Sequence, residues 1–311
     1  MPDLSHTIDE QLSQPVRLDR YVSENLRILS RSQIKARSLT AKINGKDVKN
    51  SRLVKQGDLL ELYWQDSPPL NIIPQDIPLE IIYEDDNCVV INKAQGIVVH
   101  PGAGNRQDTL ANALYFRRLN RGGKVSEAET DNARPGIVHR LDKDTSGIII
   151  AAYNEEAHAF LAQQFKARKT RKTYTAIVQG APKETKGRIE TFIARDPKDR
   201  KKFTVSASGR NAVTYYKVIN SWRSHSLLLL RPRTGRTHQL RVHLRYIGCP
   251  ILGDPIYSGA DKLFPGASLM LHSKSLAIVL PTEAEERVFS SPIPRRFTAV
   301  IEKLDRINAN G

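Results

Sequence analysis

The sequence predicts an α+β protein in which a small N-terminal α/β module precedes a larger domain dominated by a mixed or antiparallel sheet. Three observations predict it. Strand-like and helix-like segments alternate without a strict βαβ repeat. A proline-rich break, DSPPLNIIPQDIP at 66–78, holds Pro68, Pro69, Pro74 and Pro78 and no glycine, which suits a semi-rigid linker. Nine residues, HRLDKDTSG at 139–147, place two carboxylates, two cations and two hydroxyls between the apolar runs GIV and GIIIAAY. The expected organisation is a module at 16–64, a linker at 65–78 and a larger domain at 79–304.

In the module, Val16, Tyr21 or Val22, and Leu26 fall at helical spacing. Ser30 can cap a second helix, RSQIKARSLTAK, whose exposed face carries Arg31, Lys35, Arg37 and Lys42. Asn44-Gly45 reads as a tight turn, and QGDLLELYW as an alternating strand after Gly57. Residues 16–64 hold 11 cations against 5 acids, a surplus of six.

In the larger domain, LEIIYED, CVVINKA, GIVHRL, GIIIAAY, TYTAIVQG, AVTYYKVIN and HSLLLLRP read as strands. DTLANALYFRRL, NEEAHAFLAQQFKAR and THQLRVHLRYIG read as helices, the last opened by Thr237. Leu240, Leu244 and Ile247 should face the core, while His238, Arg241 and Arg245 share another face. Residues 120–134 are polar and read as a loop.

Charge narrows the function. The chain of 311 residues carries 48 Lys and Arg against 33 Asp and Glu, a net charge of +15 and a pI near 9.8. Such a balance points to polyanions, and nucleic acid is the commonest. Three clusters concentrate it: KARKTRK at 166–172, RDPKDRKK at 195–202 and RPRTGR at 231–236. No apolar run approaches the length of about 18 residues that spans a bilayer. MPDLSHTIDEQLSQP is not a secretory signal. Cys88 and Cys249 are too few for a disulfide framework and too isolated for a zinc site. The chain reads as cytoplasmic and monomeric, with no membrane partner.

GxGxxG and GxxxxGK[ST] are both absent, so no nucleotide cofactor is expected. PGAGNRQD at 101–108 does not run from a strand into a helix at nucleotide-binding spacing. His238 and His243 are five apart, not the i, i+4 of a helical metal pair, so no metal is expected. Ser146 lacks the GxSxG context of a hydrolase nucleophile. Chemistry alone favours neither Asp142 nor Asp144 as the working carboxylate.

Four segments together resemble the RluA-type family of RNA pseudouridine synthases, and most closely its RluD-like branch, across about 16–300. They are INKAQGIVVHPGAGN (91–105), PGIVHRLDKDTSGIIIAA (135–152), RKTYTAIVQG (171–180), and RPRTGRTHQLRVHL (231–244) followed by GDPIY (253–257). Ala94 stands where the family commonly has proline, and Leu280-Pro281 where His-Pro is common. The resemblance implies the pseudouridine synthase fold and isomerisation of uridine to pseudouridine in large-subunit (23S-type) ribosomal RNA, without cofactor or metal. It assigns Asp142 as catalytic carboxylate and Asp144 as a turn or salt-bridge residue. Tyr174 would stack on the extracted uracil, and Arg241 would supply the cation beside Asp142. Arg140 would enter the helix in place of the flipped base. Lys172 belongs to the same pattern, and Arg236 and Arg245 would contact phosphate.

The module resembles the small RNA-binding domain first defined in ribosomal small-subunit protein four. Arg17-Leu18-Asp19, Ser30-Arg31-Ser32, Asn44-Gly45 and Gly57-Asp58 carry the likeness, which makes Arg31 and Lys35 RNA contacts. The stretch between Arg31 and Asn44 is about two residues shorter than that pattern and lacks its glycine. The rival function is a non-catalytic RNA-binding or ribosome assembly protein, which loss of Asp142, Tyr174 or Arg241 would have favoured.

Overall fold

The structure is a computed structural model that describes all residues except 1, 2, 10, 11, 13, 27, 30–33, 35, 36, 66–71, 103, 104, 106, 123–135, 200, 310 and 311. The chain divides into two compact units, 1–71 and 72–311.

In the first unit, β1 (Leu4–Thr7), β3 (Thr40–Ile43), β4 (Lys46–Val48) and β6 (Leu59–Tyr63) form an antiparallel sheet in the order β1-β6-β3-β4. β2 (Val16–Arg17) and β5 (Leu53–Val54) form a separate ribbon. The first predicted helix is present as α1 (Leu18–Arg20), which runs on as a π turn over Tyr21–Asn25. Asn44-Gly45 closes the β3–β4 hairpin, both with positive φ, 50° and 76°, as a two-residue hairpin turn of this hand requires. Asn44 locks that turn: its Nδ2 donates to Asp58 and its Oδ1 accepts from Leu59 N–H. Leu18, Tyr21, Val22, Ala41, Val54, Leu60 and Leu62 bury a small core of this unit's own. The expected second helix, with its cap Ser30 and the RNA contacts Arg31 and Lys35, falls largely outside the described residues.

The second unit is α+β. Its sheet has ten strands among the described residues: β7 (Glu80–Glu84), β8 (Cys88–Lys93), β9 (Ser146–Ala152), β10 (Arg171–Gln179), β11 (Lys186–Arg195), β12 (Phe203–Val205), β13 (Arg210–Ser221), β14 (His225–Pro232), β15 (Leu271–Val279) and β16 (Glu286–Ser290). The order is β12-β11-β13-β14-β10-β15-β9-β8-β7, with β16 also on β15. Among the described residues, β15–β9 is the one strand pairing that is parallel. β9 is buried along its whole length, as its run of apolar and small residues requires of a strand covered on both faces. One cluster, including Ile149, Tyr174, Leu228, Leu244 and Phe297, lies on one face. A second, including Ile148, Ile150, Leu161 and Leu276, lies on the other.

Helix α2 (Leu110–Asn120) starts at Thr109, whose side chain and that of Asn112 form a reciprocal capping box. Helix α3 (Glu155–Lys166) starts at Asn154, which accepts from Ala157 N–H. Helix α4 (Gln239–Tyr246) buries Leu240 and Leu244, as the spacing predicts. Its cap corrects the sequence reading: His238, not Thr237, occupies it, in left-handed backbone (φ 55°, ψ 16°) with no side-chain cap. Helix α5 (Arg295–Ala309) was not anticipated.

GIVHRL is not a strand. Gly136 has φ 67°, and Ile137 makes one isolated bridge to Ala151. A Cβ at 136 would lie 1.7 Å from the Ala152 carbonyl oxygen, so the chain passes β9 too closely for any side chain. Residues 139–145 are therefore a loop packed against the sheet that leads into β9, not the tip of a hairpin.

Both cysteines are free and buried. No helix among the described residues is long and apolar enough to cross a membrane.

Candidate active site

The HRLDKDTSG segment leads into β9, an interior strand between β15 and β8, and is held by the INKAQG segment. Lys93, at the end of β8, is 1% exposed. Its Nζ donates to the carbonyls of Ala94 (2.8 Å), Ile97 (2.8 Å) and Lys143 (3.0 Å). Burial pushes its pKa down to about 8, against the opposing charges of Asp144 and Asp142. Gly96 N–H also donates to Lys143 O, and Gln95 Nε2 to Asp144 O. Where the loop becomes strand, Gly147 (φ 111°) passes β15 so closely that a Cβ would lie 2.2 Å from Ser273 O. Ser146 Oγ accepts from Arg296 (2.6 Å) and lies 2.9 Å from His272 Nδ1. Burial holds His272 down near 4, so it is neutral at physiological pH.

We expect Lys93→Met to remove the three hydrogen bonds that tie the loop to the end of β8 and to destabilise the protein by roughly 2 kcal/mol. Thermal melting would register this. An unchanged midpoint would show that the lysine does not hold the loop.

The loop forms one wall of a cavity of about 430 Å3, within the range of small-molecule sites. Asp142, Arg140, Tyr174, Lys172, Arg236 and Arg241 all line it. Of the predicted site residues described, only Arg245 lies elsewhere; its guanidinium donates to Tyr257 O at 3.4 Å. Asp144 does not line the cavity; it sits in the turn after Asp142.

Asp142 is partly buried, its side chain 19% exposed. Arg241 Nη1 donates to its Oδ2 at 3.3 Å. That guanidinium is fixed by Asp254: Nε donates to Oδ2 and Nη2 to Oδ1, each at 2.7 Å. The pair is bidentate and almost wholly buried, with Asp254 0% exposed. Asp254 also accepts from the N–H groups of Ile256 and Tyr257. The guanidinium carbon stacks 5.1 Å from the centre of the Tyr257 ring. Arg241 thus reaches Asp142 already oriented.

Tyr174 enters from β10. The β10–β15 register shifts between Thr173 and Tyr174, a bulge that re-aims the ring. Burial raises its hydroxyl to about 12, and the Asp142 charge adds to this. His139 stacks on Phe165 (4.4 Å) and accepts the Ile150 N–H through Nε2. Burial drives its pKa down to about 3, so the imidazole stays neutral and structural.

The loop before α4 is tied by Gln239, whose Oε1 accepts from the Thr234 hydroxyl and from Arg236 N–H and whose Nε2 donates to Val213 O and the Thr214 hydroxyl. His243 is buried between Thr191 (3.1 Å) and Thr214 (2.9 Å), away from His238. Among the described residues, no group of His, Cys, Asp and Glu could hold a metal ion.

The rim is cationic. Arg140, Lys166, Arg168, Lys172, Arg233 and Arg236 line the cavity, and none is ion-paired to a carboxylate among the described residues. Burial disfavours the protonated form of Arg236, and the charges of Arg168 and Arg210 disfavour it further.

Sequence reading missed Lys93, Asp254 and Gln239. INKAQG and GDPIY were singled out, but their spacing carries no sign of which side chain is buried against which partner.

A model of the RNA pseudouridylate synthase family matches residues 87–246, a span that contains the loop, Tyr174 and Arg241. The chain belongs to this family. Relatives extend the match beyond that span. The ribosomal large subunit pseudouridine synthase D of Borreliella burgdorferi is 43% identical over 303 residues, covering 94% of this chain and 92% of the relative. The enzyme of that name from Xanthomonas campestris is 36% identical over 322 residues, covering 96% and 95%. Human RNA pseudouridylate synthase domain containing 4 superposes with a TM-score of 0.58 at 29% identity, covering 73% of this chain and 93% of that one. This pseudouridine synthase is accordingly an isomerase acting on RNA.

Proposed function

We propose that the protein converts specific uridines of large-subunit ribosomal RNA to pseudouridine, with Asp142 as the catalytic carboxylate. The observation that carries this is Asp142 itself, held by a pre-oriented arginine inside a cavity whose rim is cationic. Relatives named as large-subunit enzymes, similar over nearly the full chain, support the choice of RNA.

The reaction breaks the N1–C1′ bond, turns the uracil and joins C5 to C1′. It is an isomerisation, so no redox equivalent, nucleotide or metal is consumed. Two carboxylates, as glycoside hydrolases use, are not needed, because the leaving base is retained. Asp142 reacts at C1′ or removes the C2′ proton. Tyr174, protonated at neutral pH, offers its ring as a stacking surface and its hydroxyl as a donor. Arg140, exposed beside Asp142, takes the place of the flipped base. Lys172 and Arg236 meet the backbone of the target strand, and Arg245 a phosphate farther out.

The first unit, whose residues 16–64 carry the surplus of six cations and which has its own core, docks RNA through Arg31 and Lys35. The enzyme works as a cytoplasmic monomer. Deletion of residues 1–71 should weaken RNA binding and flatten its salt dependence, while the chemical step on bound RNA changes less than about three-fold. Filter binding across a salt series reads this, and an unchanged slope and affinity would remove the docking role.

The test of the proposal is to treat unmodified large- and small-subunit ribosomal RNA with the protein and map pseudouridine along each. Conversion at discrete large-subunit positions is expected. Conversion confined to small-subunit RNA would overturn the substrate assignment.

A further inference from the structure

We infer that His238 is a positioning residue for Asp142, presenting an Nε2–H donor to its carboxylate, and that Tyr257 fixes the tautomer in which it does so. The inference rests on Asp142 being the reacting carboxylate.

In the inferred arrangement the hydrogen bonds run from Phe203 through Tyr257 to His238. Phe203 N–H donates to Tyr257 Oη at 2.8 Å. The phenol, accepting there, has its own proton to give, and His238 Nδ1 lies 2.9 Å away. A neutral imidazole that accepts at Nδ1 carries its hydrogen on Nε2. Nε2 lies 4.0 Å from Asp142 Oδ2, about 1 Å longer than a hydrogen bond, a gap that closes when the site tightens on its substrate, and His238 lines the same cavity. The ring is gripped edge-on by Tyr257 and Phe203, with centroids 5.6 and 5.5 Å away. Its backbone is left-handed at the start of α4 and its side chain caps no helix N–H.

Arg241 and His238 therefore converge on one oxygen of Asp142, Oδ2. Among the described residues Oδ1 accepts no hydrogen bond, which leaves it as the oxygen that meets the ribose. A neutral donor orients the carboxylate without quenching it. A second full positive charge beside Oδ2 would weaken it as nucleophile or base. Four charged groups face His238: Asp142 and Arg140 from the loop, Arg241 from α4 and Asp254 from the turn after it. Burial outweighs them and depresses the imidazole pKa, which keeps the ring neutral at physiological pH.

The sign of the pH effect follows. The chemical step loses rate as pH falls through the depressed His238 pKa. Tyr257→Phe keeps the ring over Arg241 but removes the proton donated to Nδ1. That bond favours the neutral imidazole, so its loss raises the pKa and moves the acid limb to higher pH by about half a unit to one unit. His238→Gln, which cannot titrate but can donate, loses the limb and keeps on the order of a tenth of the rate. His238→Ala falls on the order of a hundred-fold.

The experiment is single-turnover conversion of a saturating ribosomal RNA fragment from pH 5 to 8.5, with RNA affinity measured alongside. Affinities within about two-fold of wild type certify the fold of each variant. An acid limb that is missing from wild type, or identical in wild type and His238→Gln, overturns the inference, as does a wild-type rate in His238→Ala. Asp142→Asn is run in parallel. Its activity would remove the reading of Asp142 itself, whereas its inactivity beside unperturbed His238 variants removes only the role of His238.

Discussion

Asp142→Asn should abolish pseudouridine formation while leaving RNA binding almost intact. The substitution keeps an acceptor for Arg241 Nη1 and changes no buried volume, so the loop should hold its shape. It removes the negative charge and the reactive oxygen. If the carboxylate attacks C1′ or takes the C2′ proton, turnover should fall by at least about 10^4-fold. Affinity should stay within a few-fold, because binding rests on the cationic rim rather than on the carboxylate. Loss of binding in a folded variant would make Asp142 a docking residue instead.

Arg241→Met should carry the next largest effect, on stability and activity together. Arg241 and Asp254 are a buried pair, their side chains 6% and 0% exposed. Removing the arginine leaves Asp254 charged and buried without a counter-ion, at a cost of about 3–5 kcal/mol. That corresponds to a drop in Tm on the order of 10 °C. Turnover should fall by about 10^2–10^3-fold, since Asp142 loses the cation that orients it. Arg241→Met combined with Asp254→Asn separates the two effects. The amide oxygen introduced by Asp254→Asn can still accept from the Ile256 and Tyr257 N–H groups, and the side chain carries no charge, so most of the Tm should return. Turnover should not return. Its recovery together with the Tm would make the arginine purely structural.

These two residues also show what the sequence could and could not reveal. The polar loop between apolar runs was legible because it sits in a local pattern, whereas Asp142, Tyr174 and Arg241 were singled out by the family resemblance rather than by their own surroundings in the sequence. The helices α2 and α3 were legible from their apolar spacing. Contacts between distant segments were not. Lys93 meets Lys143 across 50 residues, and nothing in INKAQG marks its lysine as buried. Asp254 meets Arg241 only because the turn after α4 folds back on it. GIVHRL looked like a strand because its apolar residues say so, yet Gly136 needs a positive φ and bends the chain away. β11 went unrecognised because its alternation runs into the charged stretch at 195–202, which reads as a surface cluster. β15 carries His272, Ser273, Lys274 and Ser275, an unpromising string for a strand at the centre of a sheet. Its histidine is buried between Ser146 and Ser291, partners that only the fold supplies.

The central claim is that this chain isomerises uridine through Asp142. The most direct measurement is tritium release from C5-labelled uridine in unmodified large-subunit ribosomal RNA, with wild type and Asp142→Asn side by side. Release in proportion to enzyme-dependent pseudouridine by wild type, and none by the variant, is the result expected. Equal release by both proteins, or none by wild type on RNA it demonstrably binds, would contradict it.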